Sequence, residues 1–269
     1  MKSLFRYPGG KNKLLPQIMP FIENSLKDKI GFCDAFVGGG SVLLEVAEKY
    51  PNIPLYANDK DSFVFSFWKL VASNDWSDLD ELKNLIQLKP TIDLFYELRE
   101  TEANSIAEFA YRAVFFNRTS FSGDMRRGAS PIGGKNQKSK YTVDCRYNAK
   151  KLISKIDEIH KLLANRTVVS NEDINEYNVL DKKNISVYLD PPYFKKGKML
   201  YQEYMKDKEH LDLSNWLKTK NNWILSYDNC EEIRELYNWA NIQLIDASYC
   251  IKGSKTNWNK TKEVLILPN

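Results

Sequence analysis

Short apolar runs alternate with longer segments whose apolar residues recur at helical spacing along most of the chain. The short runs are rich in valine, isoleucine and aromatic residues, which favours strands, whereas a spacing of about three to four residues favours helices. This alternation predicts an α/β fold with about seven strands. The predicted strands occupy residues 31–36, 53–57, 167–170, 185–189, 223–227, 242–245 and 263–267.

Two parts of the chain depart from this alternation. Residues 62–118 carry several helical patterns with no strand between them, and a loop rich in glycine and lysine follows. We therefore expect a sheet domain at 1–61 and 147–269, interrupted by a helical subdomain at 62–146. No good helix separates the last two strands, so we expect them to form an antiparallel pair at the sheet edge.

Positive charge is concentrated in the loop of the insert. The formal net charge of the whole chain is +4, which alone does not indicate a polyanionic partner. Residues 124–151 contain eight basic and two acidic residues, so the net positive charge of this segment is larger than that of the whole chain. Such a local excess is typical of a surface that faces phosphates, although a solvated loop gives the same pattern. The basic residues are Arg126, Arg127, Lys135, Lys138, Lys140, Arg146, Lys150 and Lys151.

Composition narrows the class of protein. With 43% apolar and 28% charged residues, the chain resembles an ordinary globular protein. It has no long apolar run and its first residues lack the apolar core of a signal peptide, so we expect a cytoplasmic protein with no membrane segment. Its four cysteines form no CxxC pair and it has only two histidines. We therefore expect reduced thiols and no metal site.

Glycines beside polar residues mark two candidate ligand-binding turns. The first turn, near the start of the chain, lets the backbone approach a carboxylate or phosphate closely, although an ordinary turn is equally compatible. The second turn joins a strand to a helix, a layout typical of sites that bind the adenosyl part of a nucleotide-like cofactor. It matches neither a Walker loop nor GxGxxG, and a structural turn is the alternative. The two turns contain Tyr7, Pro8, Gly9, Gly10 and Lys11, and Asp34, Phe36, Gly38, Gly40 and Ser41.

Polar residues also follow two later strands. Asp59 comes after the second strand, about twenty residues beyond the glycine turn, where Rossmann-like folds bind ribose hydroxyls. Its neighbour Asp61 is a candidate helix N-cap. The strand at 185–189 ends in a carboxylate, two residues without a backbone donor and an aromatic ring, which together form a compact polar pocket. These residues are Asp190, Pro191, Pro192 and Tyr193.

In their order along the chain, these residues resemble the motifs of the Dam-type (D12 class, alpha group) DNA adenine-N6 methyltransferases. The resemblance covers nearly the whole chain, and its six ordered motifs are more specific than the sequence DPPY alone. It implies an α/β, Rossmann-like fold of S-adenosylmethionine-dependent methyltransferases, with an inserted helical target-recognition subdomain. The matching motifs lie at residues 6–11, 34–41, 58–59, 116–118, 171–174 and 190–193.

The resemblance implies S-adenosylmethionine as the methyl donor. Residues 7–11 would lie at its methionine end, residues 36–41 would cradle it, and Asp59 would bind its ribose. Asp173 and the backbone of Ile174 would contact its adenine. The complete predicted set is Tyr7, Pro8, Gly9, Gly10, Lys11, Asp34, Phe36, Gly38, Gly40, Ser41, Asp59, Asp173, Ile174 and Asp190.

The same resemblance places the target base at the DPPY sequence. Asp190 would accept one hydrogen of the adenine N6 amino group and the carbonyl of Pro191 the other, which favours a pyramidal nitrogen whose lone pair attacks the methyl group. Tyr193 would stack on the base, which must leave the duplex because N6 cannot be reached inside the helix. The predicted catalytic residues are Asp190, Pro191, Pro192 and Tyr193.

By this resemblance, the insert at 62–146 would be the target-recognition domain and double-stranded DNA its partner. Arginines are predicted to read guanine edges and lysines to contact phosphates. The stretch 124–136 differs from the hairpin associated with GATC recognition, so the target sequence stays open. A cognate restriction endonuclease, a monomer or weak dimer, and a bacterial or phage-infected cell are further expectations. The predicted DNA-binding residues are Asn117, Arg118, Arg126, Arg127, Lys135, Lys138 and Lys140.

Two alternatives remain open from the residues. The first is a methyltransferase that acts on another amino group, such as RNA adenine, cytosine N4 or a protein glutamine. The second is a non-catalytic DNA-binding subunit with a methyltransferase fold. Aspartate, rather than asparagine or serine, at position 190 and the basic insert favour adenine in DNA.

Overall fold

The computed structural model describes residues 1–6, 9–195, 197, 203–248 and 260–269. Within them, seven strands form one sheet, as the sequence predicts, several of them with shifted ends. The strands are β1 (Gly31–Asp34), β2 (Leu55–Asn58), β3 (Thr167–Ser170), β4 (Ile185–Leu189), β5 (Trp223–Asp228), β6 (Asn241–Ser248) and β7 (Lys260–Leu267). Their order across the sheet is β3-β2-β1-β4-β5-β7-β6.

Strand direction divides the sheet into two parts. β1 to β5 pair with one another in parallel. β7 runs antiparallel to both β5 and β6, which confirms the predicted antiparallel pair at the sheet edge. β1 and β4 are buried along their whole length, as expected for parallel strands that are covered on both faces.

Helices cover the sheet on both faces. Five of them follow one another between β2 and β3, and four of these lie within residues 62–119, where the sequence predicts consecutive helices. None of the helices described is long and apolar enough to cross a membrane. The helices are α1 (Leu15–Leu26), α2 (Ser41–Lys49), α3 (Ser62–Ala72), α4 (Trp76–Ile86), α5 (Ile92–Glu100), α6 (Ile106–Thr119), α7 (Ala149–Leu163), α8 (Asp207–Leu217) and α9 (Glu231–Leu236).

The hydrophobic core divides into two clusters, one on each face of the sheet. Neighbouring residues of a strand fall into opposite clusters: Phe32 and Tyr188 belong to one, and Cys33 and Val187 to the other. This alternation follows from the pleat, which points successive side chains to opposite faces. The first cluster also contains the buried apolar residues of α1 to α7, and the second contains those of α8 and α9.

Helix α3 supports the glycine turn after β1. Trp68 is fully buried, and its indole nitrogen donates a hydrogen bond of 2.9 Å to the carbonyl of Gly38. Asp61 precedes the first residue of this helix, and its carboxylate accepts hydrogen bonds from the backbone nitrogens of Phe63 and Val64, so the predicted N-cap is confirmed. The first helix of the insert therefore supports the turn that the sequence assigns to ligand binding.

Asn117, near the end of α6, ties the N-terminal segment to the helical insert. Its side-chain oxygen accepts a hydrogen bond of 2.9 Å from the Arg6 backbone nitrogen, and its side-chain nitrogen donates to the carbonyls of Arg6 at 3.0 Å and Gly123 at 3.3 Å. The side chain is 0% exposed. Asn117 thus anchors the backbone that leads into the turn containing Lys11.

Asn117→Ala should destabilise the protein by roughly 1–3 kcal/mol, because it leaves buried backbone groups of Arg6 without their partner. Urea unfolding measures this change. Asn104→Ala provides the control, since Asn104 is exposed. A free energy of unfolding equal to that of the control variant would contradict the anchoring role.

Candidate active site

A cleft lies at the carboxyl ends of β1, β2, β3 and β4, where the sheet order reverses between β1 and β4. Ligands of open α/β sheets bind at such a reversal, because the loops from neighbouring strands turn in opposite directions there. The cleft is lined by residues 9–11, 34, 36–42, 58–61, 172–175, 188, 190, 192, 203–205 and 209.

The cleft brings together most of the residues selected from the sequence. Every described residue of the predicted cofactor-binding set lines it, whereas Tyr7 and Pro8 lie outside the described residues. Of the predicted catalytic residues, Asp190 and Pro192 line it, and Pro191 and Tyr193 are buried beside it. The residues that line it are Gly9, Gly10, Lys11, Asp34, Phe36, Gly38, Gly40, Ser41, Asp59, Asp173, Ile174 and Asp190.

The turn between β1 and α2 requires glycine at position 40. Gly40 has a φ of +69°, and a Cβ atom there would lie 2.2 Å from the ring of Trp68. The backbone nitrogen of Gly38 donates a hydrogen bond of 2.8 Å to Oδ2 of Asp59. The turn is therefore compressed between α3 and the end of β2, and its backbone faces the cleft.

Two carboxyl groups in the cleft, those of Asp34 and Asp59, have raised pKa values. Burial, and then the charge of Asp190, raise the pKa of Asp34 to about 8. Burial, and then the charge of Asp61, raise the pKa of Asp59 to about 7. Among the described residues Oδ1 of Asp34 has no hydrogen-bond partner, although it is buried. A cationic or hydrogen-bond-donating ligand would satisfy this oxygen and lower the pKa of Asp34.

Asp190 is held through both of its carboxylate oxygens. The Lys11 ammonium lies 2.6 Å from Oδ2, and the Ser226 hydroxyl donates a hydrogen bond of 2.8 Å to Oδ1. Burial raises the pKa of Asp190, and Lys11 opposes this effect. Burial also works to lower the pKa of Lys11, but Asp190 and other nearby groups outweigh it and hold that pKa above its ordinary value. The side chain of Asp190 is still 20% exposed, on the side of the cleft.

The residues after Asp190 are fixed by contacts with β5 and β7. The Tyr193 hydroxyl donates a hydrogen bond of 2.6 Å to Oε1 of Glu263. The backbone nitrogens of Phe194 and Lys195 donate to the carboxylate of Asp228 at 3.0 and 3.4 Å. The DPPY loop therefore has a defined position relative to the sheet.

Several residues at the site are missing from the sequence prediction. Ser226 and Glu263 contact the predicted site from β5 and β7, and Lys60 forms a 2.8 Å ion pair with Asp173. Ser226 is a polar residue within the apolar run of β5, a local signal that could have identified it. Glu263 follows three polar residues of β7, so its strand carries no such signal. No local sequence pattern identifies Asp173, more than a hundred positions away, as the partner of Lys60.

The predicted DNA-binding residues lie in three different environments. Asn117 is buried, as described above, and Arg118 is half-buried with its guanidinium donating to the carbonyl of Leu4. Arg126 forms an ion pair of 2.6 Å with Asp124. The remaining four side chains, Arg127, Lys135, Lys138 and Lys140, are exposed.

Comparison with known proteins bears on the chemistry of this cleft. The family model described as "D12 class N6 adenine-specific DNA methyltransferase" matches residues 7–251. Type II methyltransferase M.CviBI of Paramecium bursaria Chlorella virus NC1A is 24% identical, over 88% of this chain and 87% of its own. Type II methyltransferase M.MjaIII of Methanocaldococcus jannaschii is 26% identical, over 72% of this chain and 69% of its own. Modification methylase StsI of Streptococcus sanguinis is 23% identical over 99% of this chain, and the match covers 42% of the length of StsI.

The seven-stranded α/β sheet is consistent with the Rossmann-like fold of methyltransferases. The family match includes the cleft, the helical insert and all strands up to β6. The chain therefore belongs to the D12 class N6 adenine-specific DNA methyltransferases.

Proposed function

We propose that this cleft transfers a methyl group from S-adenosylmethionine to N6 of an adenine that has been flipped out of duplex DNA. The observation that carries the proposal is the position of Asp190, a largely buried carboxylate that lines the same cleft as the glycine turn. A carboxylate there can accept a hydrogen bond from an amino group placed beside the methyl donor.

The residues of the cleft fit the donor. Its ammonium and sulfonium groups are cationic, and the unpaired Oδ1 of Asp34 offers an anionic partner for a cation or donor. The turn at residues 36–41 would hold the middle of the donor, and Asp59 would bind its ribose. Asp173 and Ile174 line the cleft where the adenine of the donor would lie. Residues 9–11 would lie at its methionine end, as the sequence predicts.

Asp190 would orient the amino group that receives the methyl. One of its oxygens accepts an N6 hydrogen and the carbonyl of Pro191 accepts the other, while Ser226 fixes the plane of the carboxylate. When bound, the donor supplies an electrophilic methyl group on a sulfur that leaves as a neutral thioether. N6 gains a methyl carbon and loses one proton. Because burial raises the pKa of Asp190, its carboxylate is suited to take up that proton.

The DNA would lie across the mouth of the cleft and the helical insert. We propose residues 62–146 as the target-recognition domain, within which α3 also supports the cleft. Its exposed cations are suited to phosphates. Arg126 must leave Asp124 before it can read a base. Asn117 is too buried for that contact, and we assign it to positioning the N-terminal segment.

Two relatives are named type II methyltransferases, which supports a cognate restriction endonuclease as a partner of this chain. We propose that the chain itself acts as a monomer or weak dimer.

Asp190→Ala should lower the rate of methyl transfer to DNA by about 100-fold or more, because the amino group loses the carboxylate that orients it. The assay measures label transferred from S-adenosylmethionine to duplex DNA, with RNA and protein as alternative acceptors. DNA binding should remain, since Asp190 contributes no phosphate contact. Asp80→Ala, on an exposed part of α4, is the control. Label that appears only in RNA or protein would overturn the proposed acceptor.

Asp34→Asn should stabilise the protein when no ligand is bound. Burial raises the pKa of Asp34 to about 8, so the folded state holds a proton that the unfolded chain releases near its ordinary pKa of ~3.9. The free energy of unfolding therefore falls as the pH rises from about 4 through about 8. The asparagine side chain does not ionise, so the variant does not lose this stability. We expect a gain of roughly 1–3 kcal/mol at about pH 8, and a smaller gain at about pH 5, in urea unfolding.

The same variant should bind S-adenosylmethionine about 10-fold or more weakly, because a neutral amide attracts a cationic group less than a carboxylate does. Titration calorimetry measures this affinity, and Asp80→Asn serves as the control. Wild-type affinity in Asp34→Asn would remove Asp34 from the donor site.

Arg126→Ala should relax or abolish discrimination between target sequences, with a loss of roughly 1–3 kcal/mol at one base position. Lys138→Ala is the matched comparison: it should weaken binding to all sequences alike and reduce the salt slope of the binding constant by about one. Binding isotherms on duplexes with single base changes distinguish the two effects. Uniform weakening by Arg126→Ala would mark Arg126 as a phosphate contact.

A further inference from the structure

One buried cation lies between two carboxylates beside the cleft. The Lys11 ammonium is 2.6 Å from Oδ2 of Asp190 and 3.6 Å from Oε2 of Glu263. It also donates a hydrogen bond of 3.0 Å to the carbonyl of Gly9 and lies 5.2 Å from the centre of the Tyr193 ring. In this arrangement Asp190 is the nearer of the two carboxylates.

Glu263 occupies an unusual place for an acidic residue. It is 2% exposed and lies within β7, where it is paired with Asp228 of β5 and Ile245 of β6. A buried charge in a strand weakens folding unless its partners compensate for the lost hydration. Its two oxygens have different partners: Oε1 accepts the Tyr193 hydroxyl at 2.6 Å, and Oε2 faces Lys11.

The Lys11–Asp190 ion pair conflicts with the methyl transfer proposed above. The amino group of the target base must donate to the carboxylate of Asp190, but the Lys11 ammonium already neutralises that carboxylate from 2.6 Å at Oδ2. Moreover, N6 becomes positively charged as it gains the methyl group, and an ammonium on the same carboxylate opposes that charge. The conflict is strong because charges interact more strongly in a buried site than in water.

We propose that Glu263 is a positioning residue for methyl transfer, which accepts the Lys11 ammonium when the target amino group engages Asp190. This inference rests on the proposed function. The required displacement is small, because Lys11 already lies 3.6 Å from Glu263. Lys11 thereby stays paired in both states, and the negative charge of Asp190 becomes available to N6. Glu263 acts through Lys11 and touches neither the base nor the donor.

Glu263→Gln separates this role from the anchoring of Tyr193. The amide keeps an oxygen that can accept the Tyr193 hydroxyl but lacks the charge that attracts Lys11. Tyr193→Phe is the matched variant, since it removes the hydroxyl and leaves the charge of Glu263. We expect Glu263→Gln to lower kcat about 10-fold or more with KM for donor and DNA within about 2-fold of wild type, and to lower kcat further than Tyr193→Phe does.

The pH dependence of kcat distinguishes the two roles of Glu263, because loss of the Tyr193 hydrogen bond alone would not change it. After burial and Lys11, Glu263 is the next largest influence on the pKa of Asp190, which it raises. Glu263→Gln should therefore move the acid limb of the kcat profile to lower pH, and Tyr193→Phe should not. The titratable groups around the Asp190–Lys11 pair are Asp34 of β1, Tyr188 of β4, Tyr227 of β5, Tyr193 and Glu263.

The decisive experiment measures kcat, KM and the pH profile of wild type, Glu263→Gln and Tyr193→Phe on adenine-containing duplex DNA. Equal losses of kcat in the two variants would mean that Glu263 acts only through the Tyr193 hydroxyl and would overturn the inference. So would an unchanged kcat in Glu263→Gln. If Glu263→Gln does not fold, Glu263→Asp replaces it. This variant keeps the charge on a shorter side chain, so the inference requires that kcat falls while the acid limb of the pH profile stays in place. Wild-type protein that methylates no DNA adenine would overturn the proposed function, and the role of Glu263 with it.

Discussion

The ion pair between Lys11 and Asp190 joins parts of the chain that are far apart in sequence. Lys11 comes from the turn before α1, and Asp190 follows β4. Because Lys11 is buried and Asp190 is largely buried, each group stabilises the charge of the other. The N-terminal turn must therefore be held in place, which Asn117 does through the backbone of Arg6. Helix α3 supports the neighbouring glycine turn through Trp68.

The cleft contains more acidic groups than a ligand-free protein can easily accommodate. Asp34, Asp59 and Asp190 all have raised pKa values, with burial as the largest cause. Such groups destabilise the folded state as they ionise, and a bound cation compensates for them. Binding of the donor proposed above would therefore be coupled to protonation of these groups. The folded state would then give up stability at the place where it attracts a cationic cofactor.

The sequence predicts the strands because each is a short apolar run, and it predicts the cleft because the carboxyl ends of parallel strands meet at one edge. Residues such as Asp34, Asp59 and Asp190 could therefore be assigned to one site from the sequence alone. The role of Asn117 could not be predicted in this way, because a buried amide and a base-reading amide have the same sequence signature. The contacts of Ser226 with Asp190 and of Glu263 with Tyr193 depend on the order of strands across the sheet, which no local sequence pattern specifies.

In the proposed reaction Asp190 presents the amino group of adenine to a methyl donor in this cleft. Duplex DNA that has been incubated with the wild-type protein and S-adenosylmethionine should therefore contain N6-methyladenine, which nucleoside analysis detects. Methylation of cytosine N4 with no change in adenine, or no modified nucleoside at all, would contradict the proposed reaction.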